Sequence, residues 1–201
     1  MKIICIGRNY AEHAKEMKAE LPKEPVFFMK PDTALLKEGD FYIPDFTNDL
    51  HHELELVLKI CKAGKYIKTE FASTYYDEIG LGIDFTARDL QAKCKEKGLP
   101  WEIAKAFDSS APIGKFIKKT DLTLNDIAFE LKVNGESRQM GNSKDLIFSF
   151  EEIIAYVSKF VSLRVGDLIF TGTPSGVGPV KIGDKLQGLL NNNELLSLNI
   201  K

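Results

Sequence analysis

The stretch HHELELVLKI, residues 51–60, constrains the fold more than any other segment. Leucines at 54, 56 and 58 alternate with Glu53, Glu55 and Val57, the period of two that an extended strand converts into two faces. Both carboxylates therefore share one side. Side chains two apart on a strand stand roughly 6–7 Å from one another, near enough for two carboxylates to converge on one cation. An amphipathic strand with leucines inward and glutamates in water gives the same letters.

The surrounding sequence predicts a strand over Lys2–Ile6 and a short polar helix over Tyr10–Lys18, which the Pro22 and Pro25 region ends. VFFMK (residues 26–30) reads as a buried strand, and EIGLGID (78–84) as another that puts Asp84 at its end. A helix is expected from Thr86 to Lys97, with Gly98 and Pro100 terminating it. Asn134-Gly135 marks a hairpin, since both residues tolerate the positive φ of a type I′ turn. Ser149 and Glu152 form a capping box for a helix with Phe150, Ile153, Ile154, Val157 and Val161 at core-facing spacing. After it come short strands, two of them opened by Gly166-Asp167 and Gly183-Asp184. Strands with a few helices, not in alternating βαβ order, make the fold class α+β.

At 201 residues the chain fits one domain. A hydrophobic share of 44% with 28% charged residues is ordinary for a folded soluble protein. A formal charge of −2 gives no reason to expect nucleic acid or an anionic membrane as partner. Cys5, Cys61 and Cys94 are odd in number and far apart, so a disulfide framework is not suggested and a reducing cytoplasm is expected. The short apolar run before Arg8 reads as neither signal peptide nor membrane span.

Asp84 is the third carboxylate that can join Glu53 and Glu55. Oxygen ligands favour Mg²⁺, Mn²⁺ or Ca²⁺ over zinc, and His51 and His52, adjacent on a strand, point to opposite faces. His13 and Glu16, three apart on a helix, can form an oriented base or a solvated face. TGTPSGVGP (171–179) can cradle an anion or simply turn. Lys105 has the apolar neighbours Trp101, Ala104 and Phe107, so its partial burial is open.

Taken together and in order, IGRNYAEHAKEM, EPVFFMKPDTAL, HHELELVLKI, GIDFTARDLQ, KGLPWEIAKAFDSSAPIG, LKVNGESRQMGNS and GDLIFTGTPSGVGPVK resemble the fumarylacetoacetate hydrolase family, in particular its small acylpyruvase and oxaloacetate decarboxylase branch. The resemblance covers nearly the whole chain. It implies a mixed β-roll with flanking helices over residues 1–201, a homodimer, and a lid helix near 10–18. It also implies metal ligands Glu53, Glu55 and Asp84, holding Mg²⁺ with Mn²⁺ tolerated, and a His13–Glu16 dyad beside an active-site Lys105. Arg8, Lys30, Arg88, Gln91 and Thr173 match positions that line the substrate pocket. The implied substrate is a small 2-oxo acid, an acylpyruvate to hydrolyse or oxaloacetate to decarboxylate. A keto–enol tautomerase, a 2-hydroxy-diene-dioate isomerase and a non-catalytic metal- or acid-binding domain are the alternatives. Three carboxylates around one Mg²⁺ leave a local formal charge of −1, so an anionic keto acid needs cations opposite, a role for Lys105, Arg88 and Lys30.

Overall fold

The structure, a computed structural model, describes residues 1–16 and 20–201. In chain order its elements are β1 (Ile3–Gly7), α1 (Ala11–Glu16), β2 (Val26–Lys30), β3 (Leu35–Leu36), β4 (Leu50–His52), β5 (Leu54–Ile60), α2 (Thr69–Ala72), β6 (Tyr76–Ile83), β7 (Thr86–Ala87), α3 (Arg88–Lys97), α4 (Glu102–Lys105) and β8 (Ala111–Lys118). There follow β9 (Ala128–Val133), β10 (Glu136–Asn142), α5 (Phe150–Phe160), β11 (Leu168–Phe170), β12 (Gly178–Pro179), β13 (Lys185–Leu190) and β14 (Asn193–Asn199).

The strands form a seven-stranded sheet in the order β2-β1-β11-β5-β6-β8-β3, a four-stranded sheet β10-β9-β13-β14, and a three-stranded sheet β12-β4-β7. The pairs β1–β11 and β3–β8 are parallel and the others antiparallel, so the large sheet is mixed and the fold is α+β.

β5 lies at the centre of the large sheet with both faces covered. Leu54, Leu56 and Leu58 enter the main core with Leu81, Leu131, Leu186 and Leu198, while Val57 joins a second cluster with Ile3, Cys5, Leu168 and Phe170. Glu55 shares the Val57 face, so it is enclosed rather than solvated. The register sets Glu55 opposite Gly82, where an added Cβ would lie 2.5 Å from the Phe170 ring. Glycine there lets an aromatic side chain roof the strand pair.

Four expectations need correction. The run from His51 to Ile60 is not one strand: β4 pairs with β12 and β7, β5 pairs with β11 and β6, and Glu53 is the break between them. VFFMK is not a buried strand, because β2 has β1 as its one partner and forms the sheet edge, leaving Val26 and Met29 exposed. The helix expected from Thr86 begins at Arg88, since Thr86 and Ala87 are taken up in pairing with His51 and Leu50. Tyr10 precedes the first helix and bridges Leu146 instead, while Met17 and Lys18 lie outside the described residues.

The local signals elsewhere are borne out. Gly98 closes α3 in the left-handed conformation, Ser149 and Glu152 complete the capping box of α5, and Asn134-Gly135 turns with φ of 53° and 83°.

Candidate active site

Glu53 separates β4 from β5, and Asp84 separates β6 from β7. At Glu53 the chain passes from the three-stranded sheet into the seven-stranded one, and at Asp84 it leaves again for the three-stranded one. The Asp84 N–H donates to the Glu53 carbonyl at 2.8 Å, so the two breaks lie side by side and both carboxylates open on the same seam. Glu55, two residues along β5, completes the group: one oxygen of each carboxylate lies within 4.8 Å of those of the other two. The alternative with glutamates in water fails, since Glu53 is 6%, Glu55 1% and Asp84 1% exposed.

Among the described residues, three cations meet this acidic group. Lys105 Nζ donates to Glu53 Oε2 at 2.9 Å, Asp84 Oδ2 at 2.8 Å and Thr86 Oγ1 at 2.5 Å. Arg88 donates to Glu53 Oε1 at 2.6 Å and to Gln91 Oε1 at 2.8 Å. Lys30 Nζ lies 2.7 Å from Asp84 Oδ1, outside hydrogen-bonding geometry, and donates to the Ser110 carbonyl and hydroxyl at 2.9 and 3.0 Å. The cations therefore touch the carboxylates directly instead of facing them across the cavity. The open question about Lys105 is answered: its 3% exposure makes it buried.

These contacts divide the carboxylates. Burial pushes the Glu53 carboxyl up, but Lys105 and Arg88 outweigh it and hold the group well below the usual carboxylate range. Burial likewise disfavours the Lys105 ammonium, yet Asp84 and Glu53 keep it charged. Among the described residues Glu55 has no such partner. Its Oε2 accepts the Gly172 N–H at 2.7 Å, and burial, then the negative charges of Asp84 and Glu53, push its carboxyl well up. A buried carboxylate beside two others, with no cation of its own, favours binding of an external cation.

The acidic group lies in a cavity of about 400 Å³ lined by His13, Glu53, Arg88, Gln91, Lys105 and Thr173, among others. His13 is buried, and its Nδ1 lies 3.0 Å from Glu16 Oε2. Because a carboxylate only accepts, Nδ1 carries the proton and Nε2 is left basic. Glu16 also accepts the Gly176 N–H at 3.2 and 3.3 Å, which docks α1 on the TGTPSGVGP segment.

Arg8 lines the cavity in the left-handed conformation, with φ of 60°, and no carboxylate lies within ion-pair distance among the described residues. Lys30 stands behind Asp84, outside the cavity lining. Sequence reasoning missed Lys95, Phe28 and Trp101, which also line the cavity. Lys95 was discoverable, because Arg88, Gln91 and Lys95 recur at i, i+3 and i+7 on α3.

The chain matches the fumarylacetoacetate hydrolase C-terminal family model over residues 2–201. It is 45% identical, over 99% of its length and 90% of the relative's, to oxaloacetate tautomerase FAHD1, mitochondrial, of Bos taurus. It is 43% identical, over 92% of its length and 87% of the relative's, to the mitochondrial oxaloacetate decarboxylase of Dictyostelium discoideum. Among solved structures, a fumarylpyruvate hydrolase of Pseudomonas aeruginosa in complex with Mn²⁺ and pyruvate superposes with a TM-score of 0.94 at 41% identity, over 100% of this chain and 89% of that one.

Proposed function

The chain belongs to the fumarylacetoacetate hydrolase family, and from that premise we propose a divalent-metal enzyme that breaks the C3–C4 bond of small 2-oxo acids. The observation that carries this reading is Glu55, buried next to Glu53 and Asp84 with no cation paired to it among the described residues, in the cavity that His13 lines. Three hard oxygen donors fit Mg²⁺ or Mn²⁺, and we take Mg²⁺ as the resident ion with Mn²⁺ as a substitute. The Mn²⁺ and pyruvate of the Pseudomonas relative support both halves of the reading.

Glu53, Glu55 and Asp84 are the proposed ligands. A divalent ion held there would supply positive charge to stabilise the electron pair that the breaking bond delivers to the substrate. Formally, three carboxylates against Lys30, Lys105 and Arg88 sum to zero, so a divalent ion leaves two positive charges. That suits a dianion such as oxaloacetate.

The chain's own groups supply the remainder. Arg88, oriented by Gln91, and Arg8 attract the substrate's carboxylates, and Thr173 contributes a hydroxyl to the wall. For an acylpyruvate, His13 Nε2 takes a proton from water as its oxygen attacks C4. The C3–C4 electron pair moves into the pyruvate fragment, and the proton returns at C3. Lys105 stabilises the oxyanion at C4. For oxaloacetate the C4 carboxylate departs as CO₂, no water is consumed, and C3 is then protonated.

The helix α1 acts as the lid, with Glu16 and Gly176 as its latch. A second reading is keto–enol tautomerisation of oxaloacetate, favoured by the Bos taurus relative's name and by a base that then needs no water. We also propose a homodimer, on family grounds, and the cytoplasm as compartment, with which three free cysteines accord; the two curated relatives carry the word mitochondrial. No helix among the described residues is long and apolar enough to cross a membrane.

The test is incubation with oxaloacetate and acetylpyruvate, with Mg²⁺ or EDTA, following pyruvate release and the enol absorbance separately. Metal-dependent pyruvate supports cleavage. Metal-dependent loss of enol without pyruvate transfers the reading to tautomerisation, and inactivity in all arms refutes both.

A further inference from the structure

Gln139 lies outside the cavity lining, yet its buried carboxamide ties the segment that carries the proposed ligands Glu53 and Glu55 to the loop that orients Glu55. Its Oε1 accepts the Leu54 N–H at 2.9 Å and His52 Nδ1 at 2.9 Å. Its Nε2 donates to Thr173 Oγ1 at 2.8 Å and to the Pro174 carbonyl at 3.0 Å. The backbone partners fix the amide's orientation, since Leu54 N can only donate and Pro174 O only accept. His52 Nδ1 must then carry its proton.

These bonds straddle the strand break. His52 and Leu54 flank Glu53, and one oxygen grips both of them. Thr173 Oγ1 donates to the Leu54 carbonyl at 2.8 Å, which closes a ring through Gln139. The segment clamped at Thr173 and Pro174 also supplies the Gly172 N–H that orients Glu55 and the Gly176 N–H that holds Glu16.

A β-bulge delivers this side chain. In the β9–β10 ladder Ser137 pairs with Lys132, but Gln139, not Arg138, pairs with Leu131. Without the inserted residue, the guanidinium of Arg138 would take the inward position. Bulges re-aim side chains in this way beside functional sites. Gly176 packs against the bulge, where an added Cβ would meet the Arg138 carbonyl at 2.2 Å.

We infer that Gln139 is a positioning residue that holds the Glu53–Glu55 segment and the 172–176 loop in register and so sets the geometry of the cation site. The inference rests on the metal reading proposed above. Partners that orient metal ligands typically change affinity about 10–100-fold when removed.

The test is a Mn²⁺ titration of the EDTA-stripped full chain, read from the electron paramagnetic resonance signal of free Mn²⁺, for wild type, Gln139→Met and Gln139→Glu. We expect both variants to bind Mn²⁺ about 10–100-fold more weakly than wild type. A role in stability alone would lower the metal-free melting temperature yet leave Kd within about twofold of wild type, and that result overturns the inference. If neither variant folds, hydrogen exchange of the wild type decides. Mn²⁺ must slow exchange in peptides covering residues 51–56 and 171–176, and equal exchange with and without metal overturns the inference. A wild type without saturable Mn²⁺ binding overturns the metal reading and this inference together; normal wild-type binding with unchanged variants overturns this inference alone.

Discussion

Lys105→Met separates two roles of one ammonium. Lys105 bridges Glu53 Oε2 and Asp84 Oδ2 at 2.9 and 2.8 Å, the position of a cation between two ligands. A divalent ion must displace part of that contact and then remain next to a positive charge. Each unit charge pair at 4 Å is worth about 4 kcal/mol at an effective dielectric constant of about 20. Desolvation and rearrangement offset much of this. We take about 1.4–2.8 kcal/mol as the remainder, so the methionine variant should bind Mn²⁺ or Mg²⁺ roughly 10–100-fold more tightly than wild type. Turnover should fall about 10²–10³-fold, the usual loss when a donor to a developing oxyanion is removed. Calorimetric titration of stripped protein measures the first effect and pyruvate release the second. The metal-free melting temperature should fall as well, because two buried carboxylates lose their shared cation, and metal should restore more of it than in wild type. A folded Lys105→Met that binds metal no better than wild type would refute the competition.

Glu55→Gln replaces a buried carboxyl that no cation pairs among the described residues and whose neutral form burial favours, so we expect unchanged or higher metal-free stability in a thermal melt, with metal affinity at least about 100-fold weaker by calorimetry. His13→Ala should cost acylpyruvate hydrolysis about 10²–10⁴-fold in kcat while metal affinity stays as in wild type, measured in the same preparations. Gly82→Ala sets a methyl group 2.5 Å from the Phe170 ring and should destabilise the chain by about 1–3 kcal/mol in urea unfolding.

Much of this was legible in the sequence because it is local. The period of two across Leu54–Leu58, the Ser149 and Glu152 capping box and the Asn134-Gly135 turn each depend on nearby side chains. What escaped depends on tertiary pairing. Nothing in HHELELVLKI announces that Glu53 is a break, since that follows from β4 and β5 joining different sheets. Thr86 and Ala87 read as helix because their strand partners, His51 and Leu50, lie far away in sequence. Spacing points to Glu53 and Glu55, the family resemblance adds Asp84, and the structure brings all three together. The resemblance puts Lys30 and Lys105 on the substrate side, but in the structure they contact the carboxylates, a pairing that burial enforces and spacing cannot reveal. Gln139 gave no signal, because a bulge rather than strand alternation turns it inward.

The most direct measurement is a crystal of the stripped protein soaked in Mn²⁺ and recorded at a wavelength where manganese scatters anomalously. We expect one anomalous peak bonded to an oxygen of each of Glu53, Glu55 and Asp84, with the Lys105 ammonium moved off at least one of its carboxylates. A peak elsewhere, or none at these residues while the soaked protein turns over substrate, would contradict the proposed metal centre.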